Sequence, residues 1–104
     1  MDWQRGFDGR HDIMRHEGFG IELVLGPLKQ RQMELFVSKL GDERSMNAVV
    51  YHGAVVRAAV LAGWIAQPAW AVEDVDELEP LCVAWVAEQV GLAWKRVMEP
   101  DPKV

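Results

Sequence analysis

From Val49 to Ala62 the chain is apolar on nearly every side of a helical wheel, with Tyr51, His52 and Arg57 as the larger polar interruptions. A helix with no polar face cannot lie on a surface, so other elements must wrap it. In a chain of 104 residues that makes this segment the centre of one domain, because no length is left for a second core. The alternative for such a run is a membrane span. Residues 48–66 argue against it, since they hold His52, Arg57 and two glycines and have no basic cluster at either end. An arginine at mid-bilayer costs about 2.5–3.5 kcal/mol on insertion scales.

The elements that wrap this centre are marked by their own punctuation. Pro27 suits a first helical position and Gly41 a left-handed cap, and between them Leu28, Met33, Phe36, Val37 and Leu40 recur at helical spacing. The central helix is expected to start after Asp42 or Ser45 and to stop at Gly63. A third helix is expected over 80–98, opening at Pro80 with the stripe Val83, Val86, Ala87, Val90, Trp94 and Val97. Residues 64–75 contain Pro68, hold no period, and read as a connecting loop.

The first 26 residues differ in kind, being glycine-rich and without helical period. Phe19, Ile21, Leu23 and Leu25 alternate with Gly20, Glu22 and Val24, as in a half-buried strand, and Glu17-Gly18 can turn the chain back onto residues 12–16. The expectation is a mainly α fold: a three-helix domain over 27–104 preceded by a small β-hairpin or arm over 1–26. If the 19–25 strand is not covered by its own chain, its bare backbone invites pairing with another copy, so a homo-oligomer is expected.

Composition narrows the chemistry. A net charge of −5 disfavours nucleic acid as a partner, because phosphate neutralisation needs surplus cations. A single cysteine, Cys82, excludes an internal disulfide and a cysteine-based zinc site and fits a reducing compartment. Met1-Asp2-Trp3-Gln4-Arg5 does not open a signal peptide, so the expected location is the cytoplasm. His11-Asp12 and His16-Glu17 are metal-ligand types, but their five-residue step does not place two imidazoles on one helical face, and surface positions on a hairpin are the better reading. His52 has no carboxylate at helical spacing, and Cys82 sits among carboxylates with no general base. Gly6, Gly9, Gly18 and Gly20 lack the strand-to-helix context and the following lysine of a phosphate loop. No catalytic, cofactor or metal residues are assigned, and the chain is not read as an enzyme.

Two features remain. Glu73, Asp74, Asp76, Glu77 and Glu79 crowd seven positions before Pro80, where helix-terminal charge is favoured anyway but where a mimic of nucleic-acid phosphates is also conceivable. Five tryptophans are more than a domain this small can hide completely. Trp64 and Trp70 bracket the proline-containing loop, where side chains are freer to face outward, and with Ile65 and Trp94 they are assigned as partner-binding residues.

From Leu25 onward the chain also resembles a known group of proteins. Gly26-Pro27-Leu28 with Met33-Glu34 and Phe36, the run from Arg57 through Ala62-Gly63-Trp64-Ile65, and Val75-Asp76-Glu77-Leu78-Glu79-Pro80 leading into Val83-Ala84-Trp85-Val86-Ala87 are similar to small phage tail assembly chaperones. That resemblance implies a non-catalytic factor of the host cytoplasm that binds apolar helices of the tape measure protein until tail-tube proteins polymerise around it. It leaves residues 1–24 without a role. The competing expectations are an acidic phage-encoded inhibitor acting as a nucleic-acid mimic and a small structural subunit of a phage tail or head.

Overall fold

The computed structural model describes residues 12–42 and 46–98, and the backbone of residues 3–5. The order is β1 (Trp3–Arg5), β2 (Asp12–His16), β3 (Ile21–Leu25), α1 (Gln30–Leu40), α2 (Ala48–Leu61), β4 (Ile65–Gln67), α3 (Val72–Asp76) and α4 (Pro80–Met98). The fold is mainly α, as expected, but among the described residues there are four helices rather than three, and the hairpin is part of a four-stranded antiparallel sheet ordered β1-β2-β3-β4.

The sheet obeys its alternation. Met14 pairs with Leu23, and both are completely buried along with Leu25. On the other face Arg15 lies opposite Glu22 and donates to its carboxylate at 2.6 Å. The turn between the strands spans 17–20, and its positive φ falls at Gly20, not at Gly18. Gly18 is needed for another reason: a Cβ there would stand 2.9 Å from Cε1 of His16. The His16 ring fills the turn, its Nδ1 accepting from the Phe19 amide at 3.2 Å and its face stacking on Phe19 at 4.2 Å. Phe19 therefore belongs to the turn, and the strand begins at Ile21.

The loop expected over 64–75 contains β4 and α3. Neither is long enough to show a period, and β4 exists because β3 offers it a ladder, with a bulge at Val24/Leu25. That pairing joins the 1–26 segment to the 27–104 segment in one sheet. It also covers the second side of β3 at Val24 and Leu25.

The helix boundaries show which cap wins locally. α1 begins at Gln30 rather than Pro27, because the Gln32 side chain accepts from the Lys29 amide at 3.0 Å, while the amide of Gly26 donates to the Trp64 carbonyl at 2.8 Å and ties the preceding residues to β4. α2 begins at Ala48, where Asn47 accepts from Val50 N at 2.9 Å, rather than after Asp42; Ser45 lies outside the described residues. Its C-terminus is where the glycine placed it. Gly63 has φ +73, its amide donates to Val60 O and that of Trp64 to Ala59 O, a Schellman closure. The acidic run belongs mainly to α3, whose first turn holds Glu73 and Asp74, and Asp74 accepts from Ala71 N at 2.8 Å.

α2 packs against α1, α3 and α4, as its composition requires. Val56, Ala58 and Ala59 are buried, and the two alanines allow close helix approach. α4 supplies a row of buried residues from Cys82 through Val86 and Val90 to Ala93, and it reaches the sheet where Trp85 meets the His16 ring edge-on at 5.2 Å. Each fully buried valine contributes about 1.5–3 kcal/mol of transfer free energy. One residue breaks the pattern. Gln89 is 0% exposed, and no described protein group bonds to its Nε2 or Oε1.

Candidate functional site

The four tryptophan-region residues assigned to binding do not form one surface. Trp64 is 2% exposed and Ile65 9%, so both are core residues, and the expectation that they face outward is corrected. The Schellman closure turns Trp64 inward beneath α2, and β4 pairing commits Ile65 to the buried face of the sheet. Trp70 is half-buried and packs against the core. Trp94, also partly buried, lines an accessible site.

That site is a cleft of about 490 Å³ where α1, α2 and α4 meet. α1 contributes Phe36, Val37 and Leu40, α2 contributes Tyr51 and Val55, and α4 contributes Ala87, Gly91 and Trp94. Its back wall is an aromatic triangle. Phe36 lies 5.3 Å from Trp64 and 5.1 Å from Trp94, and the two tryptophans are 6.2 Å apart at 61°. Trp64 thus stands behind the wall as a buttress while Trp94 shows its face. Edge-on and tilted pairs of this kind are worth about 0.5–1.5 kcal/mol each beyond area burial, so the wall is fixed before anything docks. At the lip Val37 is 55% exposed although it continues the apolar stripe of α1.

Gly91 lines the cleft as an exposed residue of α4. A Cβ built on it would meet nothing within 4 Å, so the absence of a side chain leaves open space rather than relieving a clash inside the chain. Glycine inside a helix costs about 1 kcal/mol relative to alanine. That cost, at the centre of a 19-residue helix, is the sequence signal by which this site could have been found. A second cleft, lined by Tyr51, His52, Leu81, Ala84 and Glu88, shares Tyr51, Ala87 and Gly91 with the first. A third lies between Val49, His52, Leu78 and Pro80 and shares His52 with the second. The three run together along the α2/α4 seam, and Val49 and Leu81 are both highly exposed beside it.

Burial, with a smaller contribution from the Glu79 carboxylate, raises the Cys82 thiol above the ordinary cysteine range, which is the wrong direction for a nucleophile. Arg57 donates to Asp76 at 2.8 Å, so part of the acidic run is already neutralised within the chain. The Nδ1 of His16 is occupied by the turn, and His11 lies outside the described residues. Among the described residues no three histidine, cysteine or carboxylate side chains gather as a metal site, and no helix is long and apolar enough to cross a membrane. The arrangement can hold an apolar surface. Comparison with family models, with characterised proteins and with solved structures finds no match to this chain.

Proposed function

We propose that the chain is a non-catalytic phage tail assembly chaperone that holds apolar helices of the tape measure protein in the host cytoplasm, with tail-tube proteins as the later partners of the complex. The observation that carries the reading is the preformed cleft between α1, α2 and α4. It is lined by Trp94, Phe36 and Gly91 and includes the exposed Val37. An amphipathic helix docks by seating side chains at i, i+3, i+4 and i+7 into such a groove, and α4, with 19 residues, gives it a wall of about 28 Å. The resemblance over residues 25–100 supplies the identity of the partner. Trp94 replaces Trp64 and Ile65 as the contact residue, and Trp64 acts by holding Phe36 and Trp94 in place.

The acidic-inhibitor reading draws less support, because Asp76 is paired with Arg57 and Asp74 is used at the start of α3. The test is co-expression of the chain with a tape measure fragment, followed by capture. The parent retains the fragment, and Gly91→Leu, whose Cβ enters open space and whose longer side chain occupies the cleft, loses it. A parent that retains no fragment removes the chaperone reading.

A further inference from the structure

The turn between β2 and β3 is closed by two hydrogen bonds of different kinds. The Gly20 amide donates to the Glu17 carbonyl at 3.1 Å, a bond between two backbone groups that do not titrate. The Phe19 amide donates to Nδ1 of His16 at 3.2 Å, and that bond needs a lone pair on a nitrogen that can take up a proton. The ring is thereby held neutral, with its hydrogen on Nε2. It is also packed in place. Phe19 stacks on it at 4.2 Å, Trp85 of α4 meets it edge-on at 5.2 Å, and its Cε1 comes so near Gly18 that a Cβ there would stand 2.9 Å away. Among the described residues, the charged and titratable groups of the elements around it are Glu17 in the turn, Arg15 and Glu22, paired across the other face of the sheet, and Cys82 and Glu88, a turn to either side of Trp85. None of these hydrogen-bonds or ion-pairs with the ring, so its bond to the Phe19 amide has no charged competitor.

We propose that His16 is a pH-operated latch on the β2–β3 turn, opened when its ring takes up a proton. Protonation converts Nδ1 from acceptor to donor, so two N–H groups face each other and the Phe19 amide is released. Histidine is the side chain whose charge changes between pH 5 and 8, so mild acidification is enough to work the latch. The strands stay paired, because the ladder from Asp12–Leu25 to His16–Ile21 is made by backbone groups alone. The latch stands apart from the cleft between the helices and does not depend on what that cleft binds.

The experiment follows the ¹⁵N-labelled full chain by nuclear magnetic resonance and amide exchange from pH 8 to pH 5. The Phe19 amide resonance should shift with the same midpoint as the Cε1 proton of the His16 ring. Its protection, taken relative to the unstructured exchange rate at each pH, should fall by about 2- to 10-fold, while the amides of the β2–β3 ladder keep theirs. In His16→Asn the side-chain carbonyl oxygen accepts near the place of Nδ1 and does not titrate, so the Phe19 amide stays put over the whole range. A Phe19 amide that is unmoved while the parent's His16 ring titrates overturns the proposal, as does a ring that takes no proton down to pH 5. An equal acid shift in His16→Asn overturns it as well. So does loss of protection throughout the ladder together with Phe19, which is unfolding of the hairpin and not release of a latch.

Discussion

Replacing Gln89 with methionine should stabilise the fold. The side chain is 0% exposed, lies on α4 one turn beyond Trp85, and has neither its amide nitrogen nor its carbonyl oxygen bonded to a described protein group. Leaving a buried amide unpaired costs about 1–3 kcal/mol on mutational scales. Methionine is close to isosteric with glutamine and removes both polar atoms, so overpacking adds little against the gain. The expected increase in stability is about 1–3 kcal/mol, which for a domain of roughly 100 residues corresponds to a Tm rise of about 5–15 °C. Urea unfolding followed by far-UV circular dichroism should show a higher midpoint with an unchanged slope. A lower Tm for Gln89→Met would mean that the amide is paired in the folded protein, and the packing described around α4 would be wrong at that position.

Three other substitutions or treatments probe separate parts of the account. Ala58→Asp places a charge at a position 1% exposed in α2 and should abolish the cooperative transition, read by circular dichroism; a folded variant would remove α2 from the centre of the fold. Gly63→Ala forces a side chain onto φ +73 and should cost about 1–2 kcal/mol in urea unfolding, with no loss if the left-handed closure of α2 is dispensable. The folded Cys82 thiol should react with a disulfide reagent far more slowly than the urea-unfolded chain at pH 8. Because its folded-state pKa is raised, first by burial and then by Glu79, the stability it contributes is present below the ordinary cysteine range and is lost as pH rises through the raised value; fast reaction of the folded chain would contradict its burial.

The parts of the fold that were legible in the sequence are those with a long period or a committed backbone. α4 runs over the expected residues because Pro80 opens it and its apolar stripe is sustained, and α2 stops at Gly63 because only glycine closes the helix there without strain. β4 and α3 were not legible: three and five residues are shorter than any period, and β4 is created by β3 rather than by its own sequence. The starts of α1 and α2 moved because Gln32 and Asn47 cap more effectively than Pro27 or Asp42 prescribe. The same limit governs the site. An aromatic beside a proline-containing loop reads as outward-facing, yet the Schellman turn carries Trp64 into the core, where Phe36 and Trp94 receive it. Val37 recurs at helical spacing in the apolar stripe of α1, yet it is exposed where it lines the cleft. Gly91, a costly residue inside a helix, was the available sign of the groove.

The central claim is that the main cleft, lined by Gly91 and Trp94, is the binding surface, and the most direct measurement is a nuclear magnetic resonance titration of the ¹⁵N-labelled chain with an amphipathic helical peptide bearing a leucine and phenylalanine stripe. The account predicts that the largest shifts fall on the Gly91 and Val37 amides and on the Trp94 indole N–H, while the Trp70 indole and the amides of α3 stay in place. Shifts centred on residues 73–79 or on the strands of the sheet, with Gly91 and Trp94 unmoved at saturation, would contradict it.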